Sequence, residues 1–202
     1  SWTSAGVNPG QKRLAFEELL AHRLCMRRLR NVSNQQKAPL LKAKDELLTA
    51  FLKGLPFTLT NAQQNAYQEI STDLNGVCPM LRLLQGDVGS GKTVVAALTA
   101  LHAISCGFQV AIMAPTEILA EQHLANFGQW FRPLGIDVGW LSGKTKGAAR
   151  GQQLDELSSG KCQLLIGTHA LFQDEVVYKQ LGLIIIDEQH RFGVDQRLQI
   201  RS

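Results

Sequence analysis

Gly86-Asp87-Val88-Gly89-Ser90-Gly91-Lys92-Thr93 is the stretch whose residue types and spacing point most directly to chemistry. It fits G-x-x-x-x-G-K-[ST] at every fixed position. Glycines let successive backbone N–H groups close around phosphate oxygens, and a helix that follows points its positive end at them. Lys92 can then reach the β- and γ-phosphates, and the Thr93 hydroxyl can serve as a Mg²⁺ ligand. A second group lies about a hundred residues further on, where the apolar run Leu183-Ile184-Ile185-Ile186 ends in Asp187-Glu188. Asp187 at a strand end suits the water shell of a metal bound to a nucleotide. Glu188 can act as base or positioner for an attacking water. Together the two groups point to hydrolysis of a nucleoside triphosphate, and not to binding alone.

These residues need elements to hold them. Met80, Leu81, Leu83 and Leu84 predict a strand entering the phosphate loop, and Val94-Val95-Ala96-Ala97-Leu98 predicts a helix leaving it, ending near Cys106 and Gly107. Thr60-Asn61-Ala62-Gln63 has the capping-box pattern and opens a helix through about Asp73. Strands are expected over 108–113, 136–141, 162–166 and 182–186. Between them, Thr116 caps a helix through about Phe131, with Ala120, Leu124, Phe127 and Phe131 on its buried face, and another helix runs over 145–157. Strands alternating with helices over residues 80–190 argue for a parallel sheet covered by helices on both faces, an α/β fold whose ligands sit at the carboxyl ends of the strands.

Ahead of this unit, residues 1–54 read as a basic helical linker, and residues 55–202 as the nucleotide domain. Leu14, Leu19, Leu20, Leu24 and Leu29 recur at helical spacing between Lys12 and Arg30, and a second helix is expected from about Leu40 to Leu52, with Leu40, Leu41, Leu47, Leu48 and Phe51 as its stripe. Residues 1–53 hold ten Lys and Arg against four Asp and Glu, so the net charge of +4 is concentrated at the front. Such a run is either a solvated helix face or a surface for a polyanion such as DNA. No stretch approaches the ~20 apolar residues that cross a bilayer, so no membrane partner is expected. The first residues do not read as a signal peptide, and the missing initiator Met suggests an excised piece. Four isolated cysteines fit free thiols in a reducing cytoplasm.

Gly86–Thr93, Ala114-Pro-Thr-Glu-Ile-Leu-Ala-Glu-Gln-His, Ile166-Gly-Thr-His-Ala-Leu-Phe-Gln and Asp187-Glu-Gln-His-Arg-Phe-Gly-Val together resemble superfamily 2 helicases. More narrowly they resemble the RecG family, over about Leu55 to Arg197. The transcription-repair coupling factor Mfd is a close alternative, and the primosomal helicase PriA a more distant one. The resemblance implies a RecA-like P-loop NTPase domain using ATP and Mg²⁺ to drive a bacterial, cytoplasmic and nucleoid-associated enzyme on branched or forked duplex DNA. It implies that Gln63 reads the adenine edge, with Phe57 as a possible stacking partner. Pro115, Thr116, Ser142, Gly143, Thr168 and His169 match DNA-contacting motifs, and Gln189 and His190 match positions that couple the triphosphate to a second motor lobe. No motif of that lobe or of a wedge domain occurs here, so the chain is expected to be one lobe of a larger enzyme. Rival readings are a nucleotide-dependent switch and a non-catalytic DNA-binding element centred on Arg23–Arg30.

Overall fold

Apolar runs of four to six residues, repeated between amphipathic segments, build a four-stranded sheet in the computed structural model, which describes residues 38–43 and 45–187. The elements in chain order are α1 (Asp45–Gly54), α2 (Asn61–Leu74), α3 (Lys92–Ser105), β1 (Gln109–Met113) and α4 (Glu117–Phe131). They continue with β2 (Val138–Leu141), α5 (Gly147–Ser159), β3 (Leu164–Gly167) and β4 (Leu181–Ile186). Short 3-10 turns occupy Arg132–Leu134 and His169–Phe172. The expected basic helix of residues 12–30 and the expected site residues Glu188, Gln189 and His190 lie outside the described residues.

All neighbours in the sheet are parallel, in the order β2-β3-β1-β4. The period-2 geometry of a strand sends alternate side chains to opposite faces. Val110 and Ile112 of β1 and Leu164 and Ile166 of β3 enter one core with α1, α2, α3 and α4. Ala111, Met113 and Leu165 enter a second core with Leu157 of α5 and Ala170 and Leu171 of the following turn. Both faces are therefore covered, as the uninterrupted apolar strands require. Among these helices α3 is the most enclosed: Val94, Val95, Ala97, Leu98, Ala100, Leu101, Ala103 and Ile104 are all buried. A helix apolar nearly all round belongs inside the protein.

Two expectations are corrected. Residues 80–84 do not form a strand: they find no ladder partner in the described sheet, and apolar content alone cannot supply one. The segment packs against the core through Met80 and Leu84, leaves Leu81 and Leu83 exposed, and is fastened to α2 by Arg82, which donates to Asp73 at 2.8 Å and pairs with Glu69. The helix expected from Leu40 begins instead at Asp45. Residues ahead of it are held outside the helix by backbone bonds to the end of α2 and the turn after it, Leu41 N–H to Leu74 O at 3.1 Å and Ala38 N–H to Val77 O at 3.0 Å. Leu41, Leu48 and Phe51 are still buried, whereas Leu40 is half exposed. The remaining boundaries move by one or two residues.

α1 is anchored by Phe51, whose ring meets Trp130 and Phe131 of α4 edge-on at 6.1 Å. Phe51→Ala should cost about 3–5 kcal/mol in urea unfolding; a cost within the range of surface substitutions would mean that α1 is not part of the cooperative core. His102 of α3 is the other fastening. Its Nε2–H donates to Leu41 O at 2.6 Å, which leaves Nδ1 to accept from the Tyr67 hydroxyl at 3.2 Å. Burial pushes its pKa below the ordinary 6.5, against the Leu41 bond that raises it. The unfolded chain then takes up this proton first, so the contribution is fully present above pH 6.5 and is lost as pH falls through the lower folded value. Stability should fall between pH 7 and 5 by up to about 1.4 kcal/mol per pH unit from this group, and His102→Gln should flatten the profile; an equally steep profile in that variant would assign the loss elsewhere.

Candidate nucleotide-binding site

The phosphate loop stands at the N-terminus of α3, where the first turn's N–H groups have no partner within the helix. Gly91, the residue before the helix, has φ +79°, and Gly89 has φ +82°, both in the left-handed region that favours glycine. Ser90 N–H closes the loop on Asp87 O at 3.1 Å. The Lys92 ammonium is turned into it, donating to Gly86 O at 2.6 Å and Asp87 O at 2.9 Å. A phosphate oxygen reaching this ammonium exchanges a neutral carbonyl for an anionic acceptor, which is the stronger partner.

Gln63 joins α2 to this loop. Its Oε1 accepts from Thr60 N–H at 2.9 Å and its backbone N–H donates to Thr60 Oγ1 at 3.3 Å, completing the capping box. Its Nε2 donates to Ser90 O at 2.9 Å. One side chain thus does both jobs: it caps α2 and holds the loop. These bonds use half of the amide's four hydrogen-bonding positions. Phe57 is exposed six residues earlier, with a side chain 44% accessible.

The other candidate residues leave the sheet at one edge. Register fixes this, because Met113 lies opposite both Gly167 and Ile186, and Leu141 lies opposite Gly167. Pro115 and Thr116 therefore follow β1, Ser142 and Gly143 follow β2, Thr168 and His169 follow β3, and Asp187 follows β4, all at the carboxyl ends. Thr116 caps α4, its Oγ1 accepting from Leu119 N–H at 3.3 Å. Glu117 pairs with Lys144 and bonds Ser142, contacts that hold its carboxyl below the usual range, the Lys144 bond first. The turns after β1 and β2 are thereby brought together. Ser142 and Thr168 are buried, while Thr116, Gly143 and His169 are exposed.

Asp187 extends the β1–β4 ladder by one bond, its N–H donating to Met113 O at 2.9 Å. Its Oδ2 is 2.7 Å from His123 Nε2 on α4. His123 closes the motif quoted from residue 114, but the sequence assigns it no role, since its partner is 64 residues away. Lys144 and Glu117 likewise meet through a contact distant in sequence, as Gln63 and the already expected Ser90 do. Among the described residues no three His, Cys, Asp or Glu side chains form a metal cage. No helix among them is long and apolar enough to cross a membrane.

Residues 60–202 match the family model described as DEAD/DEAH box helicase. The ATP-dependent DNA helicase RecG of Pasteurella multocida is 58% identical over 197 residues, covering 98% of this chain and 28% of that protein. RecG of Bacillus subtilis is 44% identical over 201 residues, covering 99% and 30%. A solved structure, RecG bound to a three-way DNA junction, superposes with a TM-score of 0.81 at 46% identity, covering 90% of this chain and 25% of that one. The fold is accordingly the RecA-like α/β fold of such motors, and the chain spans under a third of the length of the curated relatives it matches.

The two left-handed glycines separate strain from collision. A Cβ at Gly89 would meet nothing, whereas one at Gly91 would come within 2.2 Å of Gln63 Nε2. Gly89→Ala should cost about 1–2 kcal/mol of unfolding free energy. Gly91→Ala should cost at least about 1 kcal/mol more, because Gln63 must give up Ser90. Equal costs would show that the Gln63 link contributes nothing to the loop.

Proposed function

Because the chain belongs to the DEAD/DEAH box helicase family, we propose that it is the ATP-binding motor lobe of a RecG-type helicase acting on branched or forked duplex DNA. Residues 1–54 form the linker in this reading and residues 55–202 the lobe. The observation that carries it is the loop of Gly86–Gly91 closed ahead of α3, with Lys92 inside it and Gln63 holding Ser90.

The loop's N–H groups and Lys92 bind the phosphates, and Gln63 and Phe57 take the adenine. Thr93 and Asp187 hold Mg²⁺. They fit that ion, being hard oxygen donors too few to retain it without the triphosphate's own oxygens, which is how Mg²⁺ is commonly held. Bound there, Mg²⁺ supplies positive charge against the β- and γ-phosphate oxygens. Glu188 orients the attacking water, and Gln189 and His190 relay the state of the site to a second motor lobe. Exposed Thr116, Gly143 and His169 face the DNA backbone, with Pro115, Ser142 and Thr168 shaping the turns that present them. A wedge domain and that second lobe are the partners, and the place of work is nucleoid DNA in a bacterial cytoplasm.

Calorimetry with Mg·ATP and Mg·GTP tests the reading. The wild-type chain should bind the adenine nucleotide selectively, and Lys92→Ala should remove the binding. Turnover should lag full helicases by ~10³–10⁵, the worth of transition-state arginines. Equal affinity for GTP, or binding that survives Lys92→Ala, would overturn it.

A further inference from the structure

His123 is a side chain at the site to which neither the loop nor the sheet gives a role. It lies on the second turn of α4, 14% exposed, with its ring edge-on to Phe127 at 6.2 Å. Its Nε2 meets Asp187 Oδ2 at 2.7 Å, while its Nδ1 is buried with no hydrogen-bond partner among the described residues. A carboxylate only accepts, so Nε2 carries a hydrogen toward Asp187 and Nδ1 is left unmatched. Burying an unmatched polar atom costs free energy that an apolar side chain in the same place would not incur. Among the described residues the ring's one polar contact is thus with the carboxylate at the end of β4.

We propose that His123 is a positioning residue for Asp187, fixing the rotamer in which that carboxylate serves a Mg·nucleotide. The inference rests on the nucleotide reading above. The backbone of Asp187 is set by Met113 and its side chain by α4, so the acid is held from two elements. Outer partners that orient a metal-binding group typically govern metal affinity by about 10–100-fold. The same helix is capped by Thr116, so the Asp187 side chain is held by an element whose N-terminus lies at the proposed DNA surface.

The test measures ATP affinity by calorimetry, with Mg²⁺ and with EDTA, in the wild type and in His123→Leu, His123→Asn and His123→Gln. Leucine keeps volume without a donor, asparagine's amide stops near the Nδ1 position, and glutamine's reaches near Nε2. Leu and Asn variants should lose about 10-fold or more in Mg·ATP affinity with metal-free ATP binding unchanged, and Gln should restore most of it. In an Asp187→Asn background, His123→Leu should cause no further loss of Mg²⁺ dependence. If Leu misfolds, the Asn and Gln pair carries the same comparison. An unchanged ratio of Mg·ATP to ATP affinity in the folded Leu or Asn variant, or a Gln variant as weak as Leu, overturns the proposal. A wild-type chain that binds no Mg·ATP overturns the nucleotide reading itself, and this inference with it.

Discussion

In-register parallel pairing is the constraint from which the rest of the site descends. Four strands end opposite one another at Met113, Leu141, Gly167 and Ile186, so four separate turns are delivered to one edge of one sheet. Parallel strands need crossovers between them, and those crossovers supply the two apolar layers that bury both faces. The apolar interior and the polar edge are therefore products of the same pairing. A one-residue slip of β1 would send Val110 and Ile112 to the wrong core and displace the turn that carries Thr116.

α3 connects that sheet to the phosphate loop. Its first turn faces the loop, and its remaining length is buried among α1, α2 and the strands. The loop is consequently mounted on the most enclosed helix of the described fold, which suits groups that must be held to a fraction of an ångström. α2 adds a second hold through Gln63, and His102 brings the chain ahead of α1 onto the same helix through Leu41. Three segments that precede the loop thus converge on the helix that follows it.

Much of this was legible before any coordinates, for reasons that differ by residue. The phosphate loop and the capping box are short-range patterns in which each residue's role depends on neighbours a few positions away; the capping box is present as read, and the Gly-rich loop does precede a helix. The four strands betrayed themselves by apolar runs too short for helices. Residues 80–84 carried the same apolar signal without becoming a strand, because a strand is defined by a partner and no local pattern names one. Leu40 misled for a related reason: backbone bonds to the end of α2 and the turn after it hold its neighbours out of a helix, overriding the helical spacing. The His123–Asp187 and Glu117–Lys144 contacts were invisible because each is a meeting of distant segments. Family likeness located the edge residues that charge and spacing alone would have passed over.

The closure of the loop on its own lysine has one more implication. With Lys92 already bonded to the carbonyl oxygens of Gly86 and Asp87, an incoming anion meets an internal competitor. A small anion offering a single oxygen gains little by displacing two intramolecular bonds whose entropic cost folding has already met. A polyphosphate, which can engage the lysine and the helix N-terminus together, recovers what is lost. In the proposed nucleotide reading such a loop would act as a threshold on ligand valence, favouring a chain of phosphates over a single inorganic anion.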